Sequence, residues 1–314
     1  MDKLIAKYFQ QIKLPAPNSH KGLNGKLLII GGSELFHAAS KWSLDIASKF
    51  VDMVFYSSVP ENNELIREAK GEFWNGIVIE RDNLTSYLEE ADTILIGPGM
   101  ERTSESGKWK VESRSLSVDE WNNDTEKIVN YLLQKYPDKK WVIDAGALQM
   151  VEPELLNKNC IITPHAKELE RLLQKHEVRN QKHEINLKPE ISNLKLKFSD
   201  LEFVSDFEIR ISDLISKGIT ILLKGPLDYV ISSQGVIEIS GGNAGMTKGG
   251  TGDVLAGLVA ALYTTHDAMT SSVAGSYINK KAGESLFKRV GPYFNASDLV
   301  TEIPQIFWQE LQSL

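Results

Sequence analysis

The 314-residue sequence predicts an α/β fold built on a mostly parallel β-sheet. From residue 26 onward, short apolar runs alternate with segments of helical periodicity, and the runs end at Gly, Pro, Asp, His or Lys. Buried parallel strands have this appearance because helices cover both faces of the sheet. Ligands of such proteins bind at the carboxyl ends of the strands, so the pattern predicts a site as well as a fold.

Six apolar runs are predicted as strands: 26–30 (KLLII), 53–57 (MVFYS), 93–96 (TILI), 141–143 (WVI), 160–162 (CII) and 220–223 (TILL). Five of them lead directly into Gly31-Gly32-Ser33, Gly97-Pro98-Gly99, Asp144-Ala145-Gly146, Thr163-Pro164-His165 and Lys224-Gly225. Thr163-Pro164 is also typical of a helix start with proline in the first turn. We expect these groups to meet at one edge of the sheet.

The first residues are predicted to form a short helix docked on the body of the protein. Apolar residues recur there at helical spacing, at Leu4, Ile5, Tyr8, Phe9 and Ile12. A membrane-surface anchor is the alternative. The interspersed charges do not match a signal peptide, and no stretch approaches the ~18 apolar residues of a membrane span. We therefore expect a cytoplasmic chain that does not bind membranes.

Composition and charge exclude several classes of protein. Apolar residues make up 42% of the chain and charged residues 25%, which suffices for a sizeable core. The net charge of −7 argues against nucleic-acid binding, which normally requires a basic face. Cys160 is the only cysteine, which excludes a disulfide framework within the chain and a cysteine-built zinc site. No third ligand at metal spacing joins His165 and Glu168, so no metal site built from the protein alone is predicted.

Residues 1–314 are predicted to form a single domain with two surface insertions. The segments 101–124 and 174–202 are rich in polar and charged residues, and neither could build a core alone. Within the second, Leu194, Leu196 and Phe198 alternate as in a small hairpin.

The strongest local signal is the glycine-rich segment 241–257, GGNAGMTKGGTGDVLAG. Glycines let the backbone approach a ligand closely and leave amide groups free to point at it. A helix beginning near 251–254 would aim its N-terminal amides and positive dipole at the same place. The segment therefore predicts a phosphate cradle from which the carboxylate of Asp253 projects as a proton acceptor. The alternative is a glycine-rich turn in which Asp253 caps the helix.

Two common phosphate-binding fingerprints do not occur. The chain has no G-x-x-x-x-G-K-[ST] string, and the glycines after the first predicted strand lack the G-x-G-x-x-G spacing. A Walker-type NTPase and a Rossmann dehydrogenase are therefore disfavoured.

Six blocks give the chain a resemblance to one known family from nearly end to end. They are HKGLNGKLLIIGGS (20–33), GPGM (97–100), VIDAGAL (142–148), TPHAKELERLL (163–173), LLKGPLDYV (222–230) and NAGMTKGGTGDVLAG (243–257). GGTGD in the last block resembles the anion-hole signature of the ribokinase-like superfamily. The six blocks together resemble one branch of it, the ADP/ATP-dependent NAD(P)H-hydrate dehydratases. The resemblance implies a ribokinase-like fold of three layers, α/β/α.

The resemblance also implies an enzyme that repairs damaged cofactor. Such enzymes use ADP or ATP to dehydrate the S-epimer of NADH or NADPH hydrate, and the sequence does not choose between either pair. Mg²⁺ is expected with the nucleotide because phosphoryl transfer requires charge neutralisation. A homo-oligomer is expected from the family. Because the matching blocks begin at His20, we expect no companion epimerase domain before them.

The same resemblance assigns roles to individual residues. Asp253 matches the catalytic carboxylate at the hydrate, and Ala39, Gly99 and His165 match positions that contact the substrate. The positions that match the nucleotide site are Lys224, Gly225, Pro226, Leu227, Asp228, Asn243, Gly249, Gly250, Thr251 and Gly252. A structural histidine and a surface lysine at a strand end are the alternative interpretations of His165 and Lys224.

Three residues depart from the family pattern. Ala38 and Ser40 stand where the family usually has Gly and Pro, and a methyl group at position 38 would narrow the approach of the backbone to the substrate. Lys248 adds a positive charge to the glycine loop, where it either helps to bind phosphate or points to solvent. Two alternative functions stay open: a kinase for a vitamin precursor or sugar, and a non-catalytic nucleotide-binding protein.

Overall fold

The computed structural model describes residues 1–71, 75–102, 124–175 and 207–314 and confirms the predicted α/β architecture. Numbered in chain order, the strands are β1 Lys26–Ile30, β2 Met53–Ser57, β3 Ile77–Val78, β4 Thr93–Ile96, β5 Lys140–Ile143, β6 Cys160–Ile162, β7 Thr220–Leu223, β8 Asp228–Ser232 and β9 Gly235–Ile239. They form one sheet in the order β3-β2-β1-β4-β5-β6-β7-β8-β9. The pairings from β3 through β7 are parallel, whereas β8 and β9 are antiparallel additions at one edge.

Helices alternate with the strands along most of the described chain. They are α1 Lys3–Phe9, α2 Ala38–Ala47, α3 Pro60–Ala69, α4 Leu84–Glu90, α5 Thr125–Lys135, α6 Ala145–Met150, α7 Ala166–Lys175, α8 Phe207–Ser216, α9 Thr251–Tyr263, α10 Ala268–Val290 and α11 Ala296–Gln312. In the described ranges, no helix combines the length and the apolar character needed to cross a membrane.

The sheet separates two hydrophobic cores, which makes the architecture three-layered. Alternate residues of β1 point to opposite faces, so Leu27 and Ile29 join one core while Leu28 and Ile30 join the other. Helices α1, α2, α9, α10 and α11 pack on the first face, and α4 to α8 pack on the second. Burying one such aliphatic side chain contributes roughly 1.5–3 kcal/mol, so each strand is held by both layers.

The six predicted strands are confirmed, with β5 one residue longer because it begins at Lys140. The sequence analysis did not predict β3, β8 and β9. The N-terminal helix is confirmed as α1, and the ring of Phe9 lies edge-on to that of Tyr277, 5.4 Å between centroids. The predicted helix start at Thr163-Pro164 is wrong, because α7 begins only at Ala166.

The two predicted insertions lie mostly outside the described residues. Of segment 101–124 the structure describes Glu101, Arg102 and Asp124, and of segment 174–202 it describes residues 174 and 175, at the end of α7. The hairpin predicted around Leu194 to Phe198 lies outside the described residues altogether.

Candidate active site

Most predicted site residues lie at the carboxyl edge of the sheet, near a reversal in strand order. The order reverses at β1, with β2 and β3 on one side of it and β4 to β9 on the other. A crevice opens at such a switch point because the connections leave in opposite directions. The Gly32 N–H donates to the carbonyl of Pro98 (2.7 Å), which ties the loops after β1 and β4 together at that crevice.

The glycine loop 241–250 delivers the N-terminus of α9 to this edge. The helix begins at Thr251, within the predicted range, and its N-cap is Gly250. The backbone of Gly250 has φ +95°, and a Cβ there would clash with the ring of Trp42. The Thr251 hydroxyl donates to the carbonyl of Met246 (2.7 Å) and so holds the loop against the helix. The first-turn amides of α9 have no intrahelical acceptor and are available to an anion.

Asp253 lies in the first turn of α9. Because Gly250 is the N-cap, the alternative in which Asp253 caps the helix is wrong. Burial and the charge of Asp144 raise the pKa of Asp253 to about 7, while the ammonium of Lys224 acts in the opposite direction. The carbonyl of Asp253 accepts from the Ser43 hydroxyl (2.8 Å), which fixes its backbone against α2. A carboxylate with a pKa near neutrality is suited to accept a proton and to release it again.

Lys224 and Asp144 form an ion pair beside Asp253. The Lys224 Nζ lies 2.7 Å from Asp144 Oδ1, which also accepts from the Thr163 hydroxyl (2.7 Å). A Cβ on Gly252 would lie 3.6 Å from that ammonium, which places Lys224 at the start of α9. Burial lowers the pKa of Lys224, but the nearby carboxylates outweigh burial and raise it, so the ammonium stays charged. Ala145 has φ +44°, a strained conformation that is frequent at functional sites.

The turn KGPLD after β7 is held from within by Asp228. Its Oδ1 accepts from the Gly225 N–H (2.9 Å) and lies 3.3 Å from the Lys280 Nζ, and its Oδ2 accepts from the Ser276 hydroxyl (2.7 Å). Asp228 is buried, so both carboxylate oxygens are engaged inside the protein. Its position therefore explains the shape of the turn better than a direct contact with nucleotide.

Lys280 and Asn279, on α10, were missed by the sequence analysis. The Lys280 Nζ donates to the carbonyls of Gly225, Pro226 and Gly241 at 3.1, 3.1 and 3.4 Å, joining the KGPLD turn to the glycine loop. The Asn279 Oδ1 is buried and has no hydrogen-bond partner in the described ranges of the chain. The only signal for them in the sequence was that two polar residues stand side by side in a long helix.

A cleft of about 680 Å³ runs between the KGPLD turn, the glycine loop and α9. Eight predicted site residues line it: His165, Lys224, Gly225, Pro226, Asp228, Asn243, Thr251 and Gly252. Three predicted nucleotide residues are not among its lining: Leu227, Gly249 and Gly250. The rest of the lining consists of Gly241, Gly242, Ala244, Met246, Thr247 and Leu255, which belong to the predicted glycine-rich segment, and of Asn279 and Lys280, which the sequence analysis did not assign.

His165 lies at the mouth of this cleft, and β-bridge pairing joins it to Lys224. Its backbone N–H donates to Glu168 Oε2 (3.0 Å), and its Nδ1 accepts from the Glu168 N–H (3.3 Å), a reciprocal cap at the start of α7. Burial lowers the pKa of His165, so the imidazole is neutral at pH 7. Half of the side chain is exposed, which leaves the ring accessible to a ligand as well as to its capping partner.

Gly99 and Ala39, two predicted substrate contacts, are brought together by the structure. A Cβ on Gly99 would lie 2.7 Å from the Phe36 carbonyl oxygen and 3.1 Å from the Ala39 Cβ. Ala39 lies one turn before Ser43 on α2, on the face that contacts the backbone of Asp253. The backbone of Asp253 therefore contacts the helix that carries Ala39, while the preceding residue, Gly252, lines the cleft.

The departures from the family pattern have separate positions. Ser40 is buried, with its Oγ 2.8 Å from the hydroxyl of Tyr56, and Ala38 is exposed at the start of α2. The Lys248 ammonium lies 5.4 Å from the centre of the Phe294 ring and donates to the Phe294 carbonyl. Lys248 is exposed, which agrees with the solvent-facing alternative, and its binding of phosphate stays a prediction.

A family model described as NAD(P)H-hydrate dehydratase matches residues 27–305. The ADP-dependent (S)-NAD(P)H-hydrate dehydratase of Nitrosopumilus maritimus is 32% identical over 305 residues, covering 96% of this chain and 94% of that protein. The bifunctional NAD(P)H-hydrate repair enzyme Nnr of Methanocaldococcus jannaschii is 33% identical over 299 residues, covering 92% of this chain and 49% of that protein. The chain thus spans about half the length of the bifunctional relatives it matches.

Two solved structures have the same architecture. A ribokinase-like superfamily protein of Enterococcus faecalis superposes with a TM-score of 0.69 at 19% identity, over 96% of this chain and 94% of that one. The ADP/ATP-dependent NAD(P)H-hydrate dehydratase of Bacillus subtilis, co-crystallised with ATP and Mg²⁺, gives 0.66 at 19% identity, over 98% and 97%. These similarities confirm the predicted ribokinase-like fold.

Proposed function

Because the chain belongs to the NAD(P)H-hydrate dehydratase family, we propose that it uses ADP or ATP to dehydrate the S-epimer of NADH or NADPH hydrate. The observation that carries the proposal is the position of Asp253, a carboxylate with a pKa of about 7 at the N-terminus of α9, beside the Lys224 ammonium. A proton acceptor, an anion-binding helix end and a fixed cation are the groups that phosphoryl transfer to a hydroxyl requires.

In the proposed reaction the nucleotide lies in the 680 Å³ cleft with its terminal phosphate at the start of α9. The hydroxyl oxygen of the hydrate attacks the terminal phosphorus while its proton passes to Asp253. The bond from phosphorus to the bridging oxygen breaks and releases AMP from ADP, or ADP from ATP. The first-turn amides of α9 and the Lys224 ammonium stabilise the negative charge on the phosphoryl oxygens.

Phosphate then leaves from the ring carbon. The carbon–oxygen bond breaks with assistance from the lone pair of the ring nitrogen, and a neighbouring ring carbon loses a proton, which restores the double bond of the reduced nicotinamide. Phosphate is a far better leaving group than hydroxide, which is why the reaction needs a phosphoryl donor. Gly99 and Ala39 are proposed to hold the hydrate near α2, and His165 is proposed to contact it from the cleft.

Mg²⁺ is proposed to enter with the nucleotide. In the described part of the chain no three His, Cys, Asp or Glu side chains are grouped so that they could hold a metal ion. In phosphoryl transfer Mg²⁺ is usually held largely by phosphate oxygens and water and needs few protein ligands. The ion supplies charge neutralisation, and Lys224 and the α9 amides supply the contacts of the protein.

The test is turnover of the purified chain on hydrated NADH and hydrated NADPH, with Mg²⁺ and either ADP or ATP. The return of reduced-nicotinamide absorbance that requires one nucleotide supports the proposal and identifies the phosphoryl donor. A phosphorylated product that accumulates without that absorbance would identify a kinase instead. Nucleotide binding without any turnover would overturn an enzymatic function for this chain.

A further inference from the structure

A second, smaller cavity lies on the substrate side of the sheet edge. Its volume is about 110 Å³, roughly the room of three or four water molecules. It is lined by residues that follow β1, β2, β3 and β4, among them Gly32, Ser33, Val59, Arg81 and Met100. Gly32 is also close to Gly99, since a Cβ on Gly99 would lie 3.2 Å from its Cα. The cavity therefore adjoins the proposed position of the hydrate and not the nucleotide cleft.

Arg81 brings an uncompensated positive charge to this cavity. Its Nε donates to the Ser58 carbonyl (3.3 Å), and its buried Nη1 has no hydrogen-bond partner among the residues that the structure describes. Within the described ranges no carboxylate pairs with it. Burial lowers the pKa of Arg81 to about 10, and burial also raises the pKa of its neighbour Tyr56, so that phenol is neutral and does not balance the charge.

The cavity wall beside Arg81 is held by a buried polar network, and at Gly32 no side chain covers the backbone. The Asn62 Nδ2 donates to the hydroxyls of Tyr56 (2.7 Å) and Ser58 (2.9 Å) in a buried polar network below the loop. Gly32 lies on that network with φ +75°, where a Cβ would come within 2.0 Å of the Asn62 amide nitrogen. Only a glycine fits, so the backbone of the loop itself faces the cavity.

Three carboxylates also line the cavity, but none balances Arg81. Asp124 caps α5 by accepting from the Lys127 N–H (3.1 Å), and it pairs with the Lys127 ammonium. Glu34 and Glu101 are exposed at the rim, where water and salt screen their charges. A buried guanidinium with an unused donor is costly, and a bound anion would remove that cost.

We propose that Arg81, with the backbone N–H of Ser33, binds a phosphate group of the dinucleotide substrate. The inference rests on the proposed function for the identity of that substrate. The phosphate belongs either to the pyrophosphate, which both dinucleotides carry, or to the 2′-phosphate, which only the NADP form carries. Arginine suits either source because its planar fork can donate two parallel hydrogen bonds to a phosphate.

The experiment compares the wild type with Arg81→Gln and Arg81→Lys in titrations with NADH, NADPH and ADP. The two reduced dinucleotides are stable products and carry the phosphates of the substrates. We expect Arg81→Gln to bind at least ~10-fold more weakly, and Arg81→Lys to give an intermediate loss. A loss for both dinucleotides identifies the pyrophosphate, and a loss for NADPH alone identifies the 2′-phosphate. ADP affinity is expected to be unchanged.

Arg67→Gln is the matched control, because Arg67 is an exposed arginine on α3 that pairs with Glu64 and Glu80 and does not line the cavity. Equal dinucleotide affinity in the wild type and Arg81→Gln overturns the inference, and so does an equal loss for ADP. Absence of turnover by the wild type overturns the proposed function instead. If the wild type binds neither dinucleotide, the same variants are titrated with inorganic pyrophosphate, and equal affinities again overturn the inference.

Discussion

Two lysine–aspartate pairs lie beside the 680 Å³ cleft, and the two lysines make different contacts. The Lys280 ammonium contacts Asp228 and three backbone carbonyls, so its hydrogen-bonding capacity is used inside the protein. The Lys224 ammonium donates to Asp144 alone among the described residues and lies beside Gly252 at the start of α9. The first lysine holds two loops together, whereas the second keeps donors for a ligand.

The comparison shows that burial and charge pairing do not by themselves mark a functional residue. Both lysines face a buried carboxylate, although the Lys224 side chain is partly exposed and that of Lys280 is buried. What differs is the number of remaining donors and the presence of Asp253, whose pKa depends on Lys224 and Asp144. Variants of the two pairs and of Asp253 should therefore differ in activity, in pH dependence and in stability.

The largest effect is expected for Asp253→Asn. Loss of the proton acceptor should lower turnover of the hydrate by at least ~100-fold while nucleotide binding stays nearly unchanged. Steady-state kinetics and a nucleotide titration of the same preparation provide the measurement. Turnover at the wild-type rate would show that the base is misassigned.

The next effect separates the two lysines. Lys224→Met should lower turnover by about 100-fold, because a cation at the transferred phosphoryl group is removed. Lys280→Met should keep turnover within about threefold but lower the free energy of unfolding by ~3 kcal/mol, since Asp228 and the carbonyls lose their partner in a buried site.

Each lysine variant serves as the control for the other. Urea denaturation and turnover, measured on both proteins, give the two quantities side by side. If Lys280→Met loses as much activity as Lys224→Met at equal stability, the assigned division of roles is wrong.

A third prediction concerns pH. Asp253 accepts a proton only when ionised, so kcat/KM should fall as the pH drops through about 7. Lys224→Met removes a charge that lowers the pKa of Asp253, and the acidic limb should therefore move to higher pH. Asp144→Asn removes a charge that raises this pKa, so the limb should move to lower pH. Lys280→Met should leave the limb in place, and a shift in that variant would contradict the assignment.

The smallest effect is on stability. The pKa of Asp253 is higher in the folded protein than its ordinary value of 3.8, so ionisation of this carboxyl opposes folding, fully above about pH 7 and less at lower pH. Asp253→Asn should therefore raise Tm by a few degrees at pH 8 and by less at pH 5, since each pKa unit corresponds to about 1.4 kcal/mol. Thermal melts at both pH values test the sign, and Asp138→Asn, at an exposed position between α5 and β5, is the matched control.

Much of the sheet could be predicted because parallel strands buried on both faces are continuous apolar runs. β1, β2, β4, β6 and β7 have the predicted limits for that reason. β3 has only two residues, too few to form a pattern, and it exists because β2 offers it an unpaired edge. The hairpin of β8 and β9 includes polar residues and a glycine, so its strands are stabilised by pairing with β7 more than by their own composition.

Without the family resemblance, the roles of the site residues were predictable only where one continuous segment supplies them. Asp253 and the start of α9 follow from the glycine-rich segment, whose local chemistry is complete within about 17 residues. Lys280 and Arg81 carry no such signal, because a lysine in a long helix and an arginine in a polar loop are usually exposed. Their importance comes from burial, which depends on the elements that pack around them.

The sequence by itself determined the strand and helix pattern, the glycine loop and the carboxylate that follows it, since each depends on backbone preferences over neighbouring residues. Only the tertiary structure decided that Lys224 pairs with Asp144, 80 residues away. It also decided that Asp144 raises the pKa of Asp253 while Lys224 lowers it. The physical reason is that electrostatic interactions depend on distance and solvent exposure in space. Both are set by the order of strands in the sheet rather than by their order along the chain.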